Sequence, residues 1–252
     1  DDSIRHAITK FAHVHFPAIE QYAKNIEKLG EEPWRITAVG SPGLDAIHSG
    51  QYMPFRDVLE KYNLSSSKQL ALVIQHPLTT EPEAAPSQME TTLSVLDDFE
   101  GNIVIIYSNS DSGGKQMIEI IDSWNSKRDD DSKVKVFKSL PRKEYLGIME
   151  GADIMIGNSS SGIVEAPAFN LPVVDIGPRQ QGRVRAENTI SVDHNPRDIK
   201  DAMKTCLNDD EFKSRVRDCS NPYYQGGAGE KIASCLASLS MDDRLLRKQM
   251  TY

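Results

Sequence analysis

Short apolar runs at QLALVIQHP (69–77), NIVIIYSN (102–109), KVKVFKSL (133–140), ADIMIGN (152–158) and LPVVDIG (171–177) alternate with helix-like stretches at 81–98, 112–126, 141–151 and 160–169. Strands that alternate with helices are joined by right-handed crossovers, which predicts a parallel sheet with helices on both faces. The runs are continuously apolar rather than alternating, as strands buried on both faces require. The predicted fold class is therefore α/β, of the doubly covered parallel type.

A chain of 252 residues can bury a substantial core in one or two domains. Its formal net charge of -8, with no long basic run, argues against a nucleic-acid partner. It leaves room for an anionic small ligand, because a few arginines can dominate one pocket. Cys206, Cys219 and Cys235 are widely spaced and odd in number, so neither a disulfide framework nor a zinc site is expected. That pattern fits a reducing cytoplasm. No apolar run approaches the roughly 20 residues that a membrane span needs, so no membrane partner is expected. The first residues, DDSIRH, carry neither an initiator methionine nor a signal-peptide pattern, so the chain is expected to be a piece of something longer.

The first forty residues repeat the theme in smaller form: IRHAITKFAHV reads as helix, HFPAI as extended, IEQYAKNIEKLG as helix and WRITAVG as extended. GSPGLDAI (40–47) reads as a linker or hinge. The expected division is a partial first domain at 1–44, a nearly complete second one at 45–235, and a tail at 236–252. After residue 195 the pattern turns helical, in PRDIKDAMKTCL and EFKSRVRDC, with a glycine-rich loop before a helix near Glu230.

In a parallel α/β sheet, ligands sit beyond the carboxyl ends of the strands. ADIMIG ends there on Asn158, Ser159, Ser160 and Ser161, and a helix is expected to begin near Ser160. Its first amides have no intrahelical partners and attract phosphate, with serine hydroxyls as further donors. Glu165 lies in the same helix and can accept from ribose hydroxyls; the competing reading has the serines as helix caps and Glu165 as a dipole partner. Arg179 and Arg183 in GPRQQGR follow the next strand and bring cations to the same rim. His76 ends LALVIQ, where an imidazole can meet a phosphate, move a proton or serve structure alone. SNSDSGG (108–114) places Ser110 and Asp111 at another strand end, either to contact a ligand or to cap the next helix. At the start, Asp1, Arg5 and Lys10 with His6, His13 and His15 give a dense polar helix, but no third ligand accompanies the His-x-His pair and no metal site is expected.

Taken together, DDSIRHAITKFAH (1–13), VGSPGLDAI (39–47), HP (76–77), SNSDSGG (108–114), GNSSSGIVEAP (157–167) and GPRQQGR (177–183) resemble the hydrolysing UDP-N-acetylglucosamine 2-epimerase family. DSIRHAITK is the segment that resembles the hydrolysing branch. The resemblance implies the glycosyltransferase-B architecture, two Rossmann-like domains with UDP held mainly by the second. It implies conversion of UDP-N-acetylglucosamine and water to N-acetylmannosamine and UDP, by elimination followed by hydration, at the entry to sialic acid synthesis. No cofactor is implied, and the full-length form is expected to be a homo-oligomer.

Carried onto this sequence, the resemblance puts Ser159 and Ser160 at the diphosphate and Glu165 at the ribose. It puts His76 and Arg179 at the leaving group and Asp1 in acid–base chemistry. Asn158, Ser110, Asp111 and Arg183 join the substrate-binding set. Family members are longer at the amino end, which predicts that this chain alone binds UDP weakly and does not turn over. Three other readings stay open: a UDP-diacetamido-trideoxyhexose epimerase, a glycosyltransferase of the same architecture, and a non-catalytic UDP-sugar-binding module.

Overall fold

The computed structural model describes residues 2–128 and 133–251, in two compact units. Residues 1–49 and 222–252 make the first, and Gly50–Asn221 the second.

The first unit begins with α1 (Asp2–Phe11), α2 (Glu20–Lys28) and α3 (Pro42–His48). The segments expected as extended supply one parallel bridge, His15 to Ile36, and Pro33–Arg35 form a 3-10 turn. GSPGLDAI, expected as a linker, contains a helix instead. Pro42 occupies its first turn, where the missing N–H costs nothing, and Leu44 and Ile47 are buried.

The second unit opens with α4 (Phe55–Tyr62) and β1 (Leu70–Ile74), followed by α5 (Ala85–Leu96), β2 (Asn102–Ile106), α6 (Gly114–Ser126) and β3 (Val134–Phe137). It continues with α7 (Arg142–Gly151), β4 (Ile154–Gly157), α8 (Ser161–Val164), β5 (Val173–Ile176), β6 (Thr189–Val192), α9 (Pro196–Asn208) and α10 (Asp210–Asp218). The sheet order is β3-β2-β1-β4-β5-β6 and every pairing is parallel. All five residues of β1 are buried, as its unbroken apolar run predicts. Ala71, Val73, Ile154 and Ile156 pack with Met89 and Leu93 of α5, Met117 of α6 and Ile199 and Met203 of α9. Buried side chains of α7, Leu146 and Ile148 among them, accompany the alternate strand positions, which include Leu72 and Met155.

The order of strand addition reverses between β1 and β4: β2 and β3 build outward on one side, β4 to β6 on the other. The crevice outside that reversal is where open α/β sheets bind ligands. Gly157 closes β4 there with φ 129°, and a Cβ on it would collide with the Ile74 carbonyl oxygen. Only glycine lets the two strand ends lie so close.

The helix expected over 160–169 is shorter than its sequence suggests. One α-turn, α8, gives way to a 3-10 turn at Ala166–Phe169, because Pro167 has no N–H to continue the ladder. α4 and β6 were not anticipated; β6 is a half-exposed edge strand with little apolar signal.

The chain then closes with α11 (Ala228–Ser238) and α12 (Asp243–Leu246), which belong to the first unit. The compact units meet at 49/50 and 221/222, where the sequence suggested domain boundaries near 45 and 235. The physical reason is side-chain capping at long sequence separation: Asp45 of α3 accepts from the amides of Ala228 (3.1 Å) and Gly229 (2.8 Å) at the start of α11. The buried Arg35 also donates to the Leu245 carbonyl at 3.0 Å, which anchors the expected tail.

Candidate functional site

Four strand ends of the second unit carry the residues picked out from the sequence: His76 after β1, Ser110 and Asp111 after β2, Asn158 to Ser160 after β4, Arg179 and Arg183 after β5. Hydrogen bonds join these loops. The His76 amide donates to Asn158 Oδ1 at 2.7 Å, and Asn158 Nδ2 donates back to the His76 carbonyl at 2.9 Å. The Asn158 carbonyl in turn accepts from Arg179 Nη1 (3.2 Å) and from Gln180 Nε2 (2.8 Å). Asn158 is only 2% exposed, and both ends of its side chain are committed to the His76 backbone. It is therefore a structural tie at the rim, where the sequence suggested direct ligand contact.

The Asn109 amide donates to His76 Nδ1 at 3.1 Å. An imidazole nitrogen that accepts is unprotonated, so the neutral ring carries its hydrogen on Nε2. Burial, then the charge of Arg179, pushes the His76 pKa down to about 4, against the pull of Asp111. Arg179 is itself pushed down by burial and by Arg183, while Asp111 and Asp175 act in the other direction. It remains a cation, since guanidinium starts far above neutrality. Gly177 turns the chain out of β5 with φ 77°, and His194 packs where a Cβ would stand. A cavity of about 440 Å³ opens beside it, lined by Gly177, Pro178, Gln181, Arg185 and Ser191 among others. A further cavity of about 210 Å³ involves Gln69, Asp153 and Pro172, which precede β1, β4 and β5. It therefore opens at the amino ends of the strands, away from the rim.

Neither Ser110 nor Asp111 caps α6, whose N-cap is Gly113 in a left-handed conformation. Asp111 instead accepts from Asn109 Nδ2 at 2.6 Å and so orders the loop whose amide meets His76. Ser110 is exposed. Ser159 Oγ accepts from the Ser161 amide at 3.3 Å, a weak local cap. Among the described residues, the amides of Ser159 and Ser160 and the Ser160 hydroxyl take no protein partner. Ser159 Oγ accepts but keeps its own hydrogen, so the two serines offer four donors on the rim. Asp1 lies outside the described residues.

Glu165 ends α8 in a second polar cluster. Tyr145 of α7 donates to Ser161 Oγ at 2.6 Å, and Arg142 Nη1 stands 3.6 Å from Glu165 Oε1. Burial raises the Glu165 pKa, opposed by the Ser161 hydroxyl and by Arg142. Burial likewise raises Tyr145, which stays a neutral donor. Asn109, Arg142, Tyr145 and Gln180 were not anticipated as site residues. The legible signal for Arg142 and Tyr145 was the position of KSLPRKEY at a strand end.

The sheet order and its rim define an α/β unit of the glycosyltransferase-B type. The UDP-GlcNAc 2-epimerase of Neisseria meningitidis, solved bound to UDP-GlcNAc, superposes with a TM-score of 0.72 at 14% identity, over 92% of this chain and 63% of that one. A putative UDP-N-acetylglucosamine 2-epimerase from Listeria monocytogenes gives 0.70 at 17% identity, over 91% and 59%. A family profile described as UDP-N-acetylglucosamine 2-epimerase matches residues 1–237. The chain belongs to that family. It is 34% identical to a UDP-N,N'-diacetylbacillosamine 2-epimerase (hydrolyzing) from Legionella pneumophila, over 100% of this chain and 64% of the relative. It is 32% identical to a UDP-N-acetylglucosamine 2-epimerase from Neisseria meningitidis, over 85% of this chain and 55% of the relative. The chain thus spans 64% and 55% of the length of these two relatives.

Proposed function

We propose that this chain is the UDP-binding part of a hydrolysing UDP-N-acetylglucosamine 2-epimerase, which converts UDP-N-acetylglucosamine and water to N-acetylmannosamine and UDP. The observation that carries the reading is the rim: the Arg179 cation, the His76 Nε2–H and the unpartnered donors of Ser159 and Ser160 at the sheet's switch point. Departure of UDP builds negative charge on a phosphate oxygen, and fixed donors stabilise such charge. Removal of the C2 proton needs a base, and Asp1 is assigned to that acid–base chemistry. Glu165 holds the ribose hydroxyls, and Arg183, Ser110 and Asp111 line the approach. The setting proposed is the cytoplasm, and the full-length form is proposed to be a homo-oligomer.

The diacetylbacillosamine epimerases among the relatives favour a second sugar, a UDP-linked diacetamido-trideoxyhexose. One experiment addresses both. Protein carrying the full-length sequence is given each UDP-sugar, and free 2-epimerised sugar and UDP are followed by NMR. Free N-acetylmannosamine without any acceptor supports the first reading; release only from the diacetamido sugar supports the second. A nucleotide-linked epimer, or turnover that needs an acceptor, overturns both. The 252-residue chain alone is expected to bind UDP without turnover.

A further inference from the structure

Asn158 sits between the two groups assigned to the leaving phosphate, yet its own side chain faces neither solvent nor ligand. Its carboxamide grips the His76 backbone at both the N–H and the C=O, so it fixes the height and direction of the β1 exit. Its carbonyl takes one hydrogen bond from Arg179 and another from Gln180, which is itself 1% exposed. Its amide donates to the Ile74 carbonyl at 3.1 Å, which ties the arrangement to β1 itself. One residue thus links the β1, β4 and β5 loops. The β2 loop adds the fourth link, because the Asn109 amide donates to His76 Nδ1. An imidazolium has hydrogen on both nitrogens and cannot accept that bond. The loop therefore selects one uncharged tautomer, with Nε2–H as the ring's donor.

We propose that Asn158 is a positioning residue which, with the Asn109 amide, presents His76 as a neutral Nε2–H donor and Arg179 as the cation toward one diphosphate. The proposal rests on the UDP-binding reading above. In it His76 donates a hydrogen bond to the departing phosphate oxygen and keeps its proton. Positive charge at the leaving group comes from Arg179. A carboxamide is needed at 158 because it alone supplies an acceptor and a donor at the spacing of one residue's N–H and C=O; aspartate would turn an oxygen toward the His76 carbonyl.

The test uses the 252-residue chain with UDP and, separately, uridine, by isothermal titration. Asn158→Ser is expected to weaken UDP roughly ten- to a hundredfold, the range for lost hydrogen bonds to charged groups, and to leave uridine unchanged. His76→Ala in the Asn158→Ser background is expected to add little, because the two act as a unit. Gln180→Leu, which releases only one bond to the Asn158 carbonyl, is expected to give a smaller loss of the same kind. Spectra of ¹⁵N-histidine-labelled wild-type chain keep the proposal falsifiable if a variant does not fold. They are expected to show His76 protonated at Nε2 alone at neutral pH. An Nδ1–H ring, an imidazolium, additive losses, or equal weakening of UDP and uridine would overturn it. Failure of the wild-type chain to bind UDP would instead sink the reading on which it rests, while the tautomer stays measurable.

Discussion

Each unit buries a cluster of charge, and the two are built to different ends. In the first, the fully buried Glu31 carboxylate meets Lys10 (3.1 Å), His15 (3.1 Å) and Lys248 (2.6 Å). Lys248 also donates to the carbonyls of Thr9 (2.9 Å), Lys10 (2.9 Å) and Ala12 (2.7 Å). Burial alone would raise Glu31, yet hydrogen bonds from Lys248, Lys10 and His15 hold it below the usual carboxylate range. That cluster is closed. In the second unit Arg179 has one carbonyl bond and, among the described residues, no carboxylate in ion-pair contact; Asp111 and Asp175 reach it only through space. That cluster lacks a direct ion pair. Burial of charge does not by itself mark a ligand site, whereas a deficit of partners does.

The largest test of the contrast lies in the closed cluster. Glu31→Gln leaves Lys248 and Lys10 without their carboxylate, and breaking a buried pair from one side costs about 3–5 kcal/mol. Urea unfolding is expected to show a loss of that size. A loss under about 1 kcal/mol would mean that Glu31 is no keystone. Arg179→Met is the mirror experiment. It strands no carboxylate, so stability is expected to change by less than about 1 kcal/mol while UDP binding weakens by about 1.5–3 kcal/mol. A large stability loss there would make the rim structural and erase the distinction.

Next in size is a pH effect. His76 moves from 6.5 in its ordinary state to about 4 when folded. Between those values the unfolded chain binds more protons, so its contribution is present above pH 6.5 and is lost as pH falls toward 4. The full shift corresponds to about 3 kcal/mol. His15 and His194, both lowered by burial, share this sign. Glu165 and Asp175, raised by burial, act the other way: what they contribute is lost as pH rises. The difference between wild type and His76→Gln isolates one group. Melting curves across this range are expected to be flatter for the variant. Parallel curves would show that His76 is not desolvated as the structure has it.

The sheet was legible because its strands are buried on both faces, and a run such as LALVI admits few other readings. β6 was not, since an edge strand half open to solvent need not be apolar. The edges of the compact units were illegible for a different reason: Asp45 capping α11 and Arg35 holding the Leu245 carbonyl join residues about two hundred positions apart. Local pattern contains no trace of such bonds. In the candidate site, strand ends and residue type suffice to place His76, Arg179 and Ser159 on the rim. That the Asn158 carboxamide turns to the His76 backbone was not legible, because residue type says nothing about which way a carboxamide turns. Tyr145 was missed because its partner, Ser161, is met only after the chain has passed through α7 and β4.

The smallest predicted effect separates the ribose carboxylate from its support. Glu165→Ala is expected to weaken UDP by about 1–3 kcal/mol if the carboxylate holds ribose hydroxyls. Tyr145→Phe removes only the hydroxyl that donates to Ser161. Ser161 Oγ has two acceptors within reach, Glu165 and, at 3.7 Å, Met149 Sδ. The carboxylate is the stronger acceptor, so Ser161 keeps its hydrogen on Glu165 without Tyr145. The expected loss for Tyr145→Phe is therefore about 0.5–1 kcal/mol in UDP affinity, the net worth of one neutral hydrogen bond. Titration at neutral and acidic pH sharpens the point. Glu165 is raised by burial, so acid removes its acceptor and weakens UDP in wild type and Tyr145→Phe alike, but not in Glu165→Ala. A loss for Tyr145→Phe as large as that for Glu165→Ala would show that the tyrosine itself meets the nucleoside.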